Sequence, residues 1–195
     1  MQIDELMERV VFLSTDTTGF NTDDELLRVT LVDSEGNIIY NQMVIPPSKT
    51  TWESAQHVHG ISPEDIEING IPFEELQGTL SGILNHHSHI VMYNAEFHKR
   101  FIPQECLRNK TIVCAMLWSL PYVNNHPSYA SLSNFLKLPV LGVFLEVELA
   151  ELVRNSVNNC KLTRKVWLEM LSNASKLEND IGKALIKSIT TDQAA

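Results

Sequence analysis

The sequence predicts an α/β domain: a mixed sheet of about five strands, the first three antiparallel, flanked by helices. Three observations predict it. Apolar segments at 9–14, 26–32 and 38–45 follow one another with turns and no helical pattern between them. Short apolar runs at 90–93 and 111–114 supply two later strands. Apolar residues then recur at helical spacing, as Phe73, Leu76, Leu80, Ile83 and Leu84 and again as Leu162, Val166, Met170, Leu177, Ile181 and Leu185. A chain of 195 residues, 44% apolar, suits one domain with a sizeable core.

Each element has a local cause. Val10, Val11, Phe12 and Leu13 make a buried-looking strand, expected over 9–14, and the polar cluster ending at Gly19 turns the chain. Residues 21–25 are a polar loop with three acids. Asp33-Ser34-Glu35-Gly36-Asn37 reads as a hairpin turn, Gly36 being free to take positive φ. Pro46-Pro47 ends the third strand. A short helix is expected at 51–58, with Gly60 as its C-cap. Ser62-Pro63-Glu64-Asp65 opens another helical turn, with serine at the cap, proline at the first position and acids beside the positive helix end. A helix at 72–84 leads to His86, His87 and His89, which read as exposed loop rather than a metal cluster. Residues 115–120 form a helical turn closed by Pro121, and 131–138 a helix stopped by Pro139, with Leu132, Phe135 and Leu136 facing the core. From Cys160 onward come one or two helices, basic outside. They divide the chain into a body, 1–158, and a helical extension, 159–195, packed on that body or used as a contact face.

Composition narrows the function classes. No apolar run approaches the roughly 20 residues that cross a bilayer, so no membrane role is expected. The start, Met-Gln-Ile-Asp-Glu, lacks a signal-peptide layout. Cys106, Cys114 and Cys160 are odd in number and widely spaced, which argues for free thiols and a cytoplasmic location. The net charge is −9 and uneven: residues 1–153 hold 8 basic and 20 acidic residues, whereas 154–195 hold 7 and 4. Nucleic-acid affinity rests on cations that neutralise phosphates, so an acidic body predicts weak binding there. Such a surface aids solubility or faces a basic protein partner.

Three stretches, in order, resemble the DEDD 3′–5′ exonucleases of the ribonuclease-H-like fold. Ser14-Thr15-Asp16-Thr17-Thr18-Gly19 is similar to their first motif, Asp-Thr-Glu-Thr-Thr-Gly, with serine in place of the first carboxylate and Asp in place of Glu. Residues 55–62, Ala-Gln-His-Val-His-Gly-Ile-Ser, resemble Ala-x-x-Ile-His-Gly-Ile-Thr. Residues 93–101 resemble His-Asn-Ala-x-Phe-Asp-x-x-Phe, keeping Asn94, Ala95, Phe97 and Phe101 but placing His98 on the metal-binding Asp. The third motif, His-x-Ala-x-x-Asp, falls near 140–152, where Gly142 takes the place of His and Val147 that of Asp. A shift of one residue gives Leu141 and Glu146 instead. The resemblance covers about residues 9–158.

What the resemblance implies is a strand-end cleft with Ser14, Asp16, His98, Gly142 and Val147 at the chemical positions and Thr17, Thr18, His59, Asn94 and Phe97 around them. Such enzymes cut phosphodiesters with two divalent ions about 4 Å apart, held by several carboxylates, while a histidine activates water. Here Ser14 is neutral, Asp16 is one methylene short, His98 is a poor ligand for magnesium, and the base is missing. One carboxylate cannot hold two hard cations. The expectation is a catalytically inactive exonuclease-fold protein that needs no cofactor. It would act by binding a protein partner, a further copy of its kind or, weakly, a nucleic-acid end. The competing expectation is an active metal-dependent 3′–5′ exonuclease using magnesium or manganese on a rebuilt Asp16, His98 and Glu146 site, with Ser14 or Tyr93 positioning water.

Overall fold

The computed structural model describes residues 7–120, 137–144 and 154–176. Among them, β1 (Val10–Thr17), β2 (Leu26–Asp33), β3 (Ile38–Val44), β4 (Gly70–Ile71), β5 (His89–Met92) and β6 (Thr111–Cys114) form one sheet in the order β4-β3-β2-β1-β5-β6. β1, β2 and β3 pair antiparallel, as expected, while β4, β5 and β6 join parallel to their neighbours. The helices are α1 (Glu53–His59), α2 (Pro63–Asn69), α3 (Phe73–Leu84), α4 (Ala95–His98), α5 (Gln104–Leu107), α6 (Ala115–Trp118), α7 (Leu138–Phe144) and α8 (Ser156–Lys176).

β1 is the middle of the molecule, buried at every position. Strand alternation sends its odd and even residues to opposite faces. Val11 and Leu13 meet α3 through Leu76, Leu80 and Leu84. Val10 and Phe12 meet Cys160, Val166, Trp167 and Met170 of α8, with Val32, Val91 and Val113 beside them. The result is three layers, helix on sheet on helix. α8 starts before the division expected at 158/159, and its buried side enters the same core as Val10 and Phe12.

Local signals behave as their chemistry requires. Gly36 has φ 100 in the β2–β3 turn, where the Asp33 carboxylate accepts from the backbone N–H groups of Glu35, Gly36 and Asn37. Gly60 caps α1 in the left-handed region at φ 78. Ser62 and Asp65 close a reciprocal capping box on α2, with Pro63 at its start.

Four expectations need correction. β1 runs to Thr17 rather than ending at 14, because its polar residues find partners inside the fold. A sixth strand, β4, is only two residues long, below what periodicity can detect. His89 lies buried in β5, not in a loop, with Nδ1 bonded to Ser88 Oγ at 2.8 Å. Pro139, expected as a stop, sits in the first turn of α7, where its missing N–H costs no hydrogen bond. The expected helix residues Leu132, Phe135 and Leu136 lie outside the described residues, as do Leu177, Ile181 and Leu185. Cys106, Cys114 and Cys160 are free thiols. Among the described residues no helix is long and apolar enough to cross a membrane.

Candidate functional site

The site lies at the C-terminal end of β1, where the strand changes from apolar to polar residues. Pairing with β2 sets Asp16 directly opposite Arg28 and Ser14 directly opposite Thr30. Arg28 Nε and Nη2 both reach Asp16 Oδ2, at 2.7 and 2.6 Å. The backbone N–H of Ser156, the first residue of α8, donates to Oδ1 at 2.9 Å and Oδ2 at 3.0 Å. A carboxylate at the start of a 21-residue helix also meets its positive end. The Ser156 hydroxyl completes the clasp. It accepts from Arg28 Nε at 3.0 Å and lies 2.8 Å from Thr30 Oγ1, which donates on to Asn41 Oδ1. Side chains of Asp16 and Arg28 are only 4% and 11% exposed. Both oxygens of Asp16 are therefore committed to the fold.

His98 is committed as well. Thr15 N–H donates to its Nδ1 at 3.2 Å, and the Thr15 hydroxyl lies 2.8 Å from the same nitrogen. That nitrogen is thus an acceptor, and the proton sits on Nε2. Burial pushes the pKa down to about 4, against a hydrogen bond with the Tyr93 backbone, so the ring is neutral at pH 7. Asp16 and His98 line the same cavity, but each is hydrogen-bonded to partners of its own. His59 is held the same way: Ile61 N–H donates to Nδ1 at 3.1 Å, leaving Nε2 to donate to Thr17 O at 3.2 Å. Burial lowers its pKa too, more than the Asp16 charge raises it.

Above this floor is a cavity of about 450 Å³. Ser14, Asp16, Thr17, His59, Asn94, Phe97 and His98 all line it. Thr18 does not: its hydroxyl donates to Asp24 Oδ1 at 2.7 Å and accepts from Glu25 N–H. Asn94 holds the turn from β5 into α4 with φ 64, a left-handed conformation that asparagine tolerates. Gly142 lies in α7, outside the lining, and Glu146 and Val147 lie outside the described residues. The sequence reading missed Arg28, Ser156, Phe20, Lys137 and Arg154. Phe20 stands 75% exposed at the rim, 5.7 Å from the Phe97 ring. Lys137 and Arg154 are exposed cations that also line the cavity. The signal for Arg28 was present, since a charge inside an apolar strand demands a buried partner.

Among the described residues, those that line the cleft do not fit a divalent-ion centre. Asp16 Oδ2 is held by Arg28 and both its oxygens share the Ser156 N–H, Ser14 Oγ is buried and neutral without a hydrogen-bond partner, and His98 spends Nδ1 on Thr15. Among the described residues no three His, Cys, Asp or Glu side chains converge as a metal site.

A mixed sheet of this order with its cleft at the end of β1 is the ribonuclease-H-like architecture of the DEDD-type exonucleases, and the chain has that fold. Apo Exonuclease I is similar over 91% of this chain and 44% of its own, with TM-score 0.67 and 14% identity. Exonuclease X, solved with 5′ overhanging duplex DNA, is similar over 89% of this chain and 99% of its own, with TM-score 0.59 and 15% identity. The nuclease and protease unit of Neurospora crassa Pan2 matches 92% of this chain and 30% of its own, at TM-score 0.63 and 13% identity. In sequence, the uncharacterized exonuclease CP81 of Escherichia phage 186 is 31% identical over 94 residues, 48% of this chain and 47% of the phage protein. The match thus spans about half the length of that relative. No protein-family profile matches the chain.

Proposed function

We propose that this chain is an exonuclease-fold protein that does not cut, and that its cleft binds the end of a nucleic-acid strand. One observation carries the reading: the surviving motif carboxylate, Asp16, is closed off by Arg28 and the Ser156 N–H. The walls supply what a strand end needs without a metal. Phe20 and Phe97 offer stacking surfaces, and Lys137 and Arg154 offer charge to phosphates. Structural neighbours support the ligand class, since Exonuclease I of E. coli was solved with a dT13 oligonucleotide and Exonuclease X with duplex DNA.

A second reading has its own support. Glu53, Glu64, Glu67, Glu74 and Glu75 are exposed on successive helices and lie in the acidic 1–153 segment, which suits a basic protein partner or self-association. The remaining alternative, a magnesium- or manganese-dependent exonuclease on Asp16, His98 and Glu146, requires Asp16 to leave its clasp.

Labelled single- and double-stranded DNA and RNA, incubated with purified protein and either ion, separate these readings. The expected outcome is unchanged strand length, together with end binding that persists in chelator. Shortening that vanishes in a folded Asp16→Asn variant would establish the enzyme instead. No binding to any strand, with a basic protein captured by the acidic face, would favour the second reading.

A further inference from the structure

We propose that Arg28 is the resident cation of this cleft: its guanidinium takes the electrostatic place of a divalent ion at Asp16 and keeps such ions out. The inference rests on the non-cutting reading but concerns a different property, ion exclusion.

The geometry argues it in three steps. Arg28 reaches Asp16 because the two are directly paired across β1 and β2, so sheet register rather than a flexible loop sets the contact. Arg28 Nε donates to Asp16 Oδ2 at 2.7 Å with Nη2 at 2.6 Å from the same oxygen, and the Ser156 N–H reaches both carboxylate oxygens at 2.9 and 3.0 Å. An ion arriving there must displace a fixed positive charge and then sit beside it, buried, where repulsion is poorly screened. Ser14, two residues before Asp16 on the same face of β1, provides only a neutral hydroxyl, 2% exposed and without a hydrogen-bond partner.

The clasp does a second job. Ser156 begins α8, and the same helix buries Cys160, Val166, Trp167 and Met170 against β1 and its neighbours. Freeing Asp16 for an ion therefore also unties the start of α8.

Manganese binding, read by electron paramagnetic resonance and by its effect on Tm, tests the proposal without reference to activity. Three proteins are compared: wild type, Ser14→Asp/His98→Asp, and that double variant with Arg28→Gln added. Only the triple variant is expected to bind the ion and to gain Tm with it. Equal binding by the double and triple variants would overturn the proposal, and so would a cooperatively melting triple variant that binds none. Should the triple variant not fold, wild-type NMR decides. The Arg28 Nε–H and Ser156 amide signals are expected to survive added manganese, whereas selective paramagnetic broadening of both would show an ion at Asp16 and sink the idea. Failure of nucleic-acid binding would sink the proposed ligand and leave these results untouched.

Discussion

At the scale of single residues, Asp16 and His98 are each held by hydrogen bonds within the fold, and each has a measurable effect on stability. A carboxylate kept for metal binding is held among like charges, so its removal is neutral or stabilising. Asp16 is instead half of a buried ion pair. Asp16→Ala is expected to destabilise by about 3–5 kcal/mol, since Arg28 is left buried and unpaired. Denaturant unfolding measures this, and a neutral or stabilising result would contradict the clasp. His98 makes stability depend on pH. Its folded pKa of about 4 lies below the unfolded value of 6.5, so between those values the unfolded chain binds the extra proton. Stability is full above pH 6.5 and falls as pH drops toward 4, by about 3 kcal/mol from this group. In His98→Gln that slope is expected to flatten, leaving the part due to His59, whose pKa is lowered in the same direction.

At the scale of elements, α8 decides more than its position near the end of the sequence suggests. Trp167 is 1% exposed and packs on Trp118 with ring centroids 4.6 Å apart. Trp167→Ala is expected to cost about 3–5 kcal/mol by opening a cavity between helix and sheet. A chain ended at 158 would uncover Val10, Phe12 and Val32 as one apolar face, and is expected to be insoluble or molten. A soluble, cooperatively folding 1–158 fragment would show that the extension is dispensable. Most helices and strands were legible, because apolar period, caps and turns are local causes: Gly60, the Ser62 box and the Leu76-Leu80-Leu84 face stand where their chemistry requires. The polar end of β1 was not, because its extension through Thr17 depends on His98 and Arg28, which are distant in sequence.

At the scale of the whole molecule, an acidic protein carries a cleft whose wall cations are few. Lys137 and Arg154 face it against a net charge of −9. Single-strand binding through about two phosphate contacts should show a log–log salt slope near −1.4. Fluorescence anisotropy with added chelator measures it, and Lys137→Ala/Arg154→Ala is expected to weaken binding several-fold and flatten the slope. An unchanged slope would place the ligand elsewhere.

By itself the sequence determined the α/β class, the antiparallel start and the likeness to exonucleases, because these are written in neighbouring residues and their spacing. Only the tertiary structure decided what became of Asp16. The register of β2 and the arrival of α8 set Arg28 and Ser156 upon it, 12 and 140 residues away in the chain. A buried charge must be neutralised by whatever the fold brings within hydrogen-bond reach, and no local pattern states which residue that is.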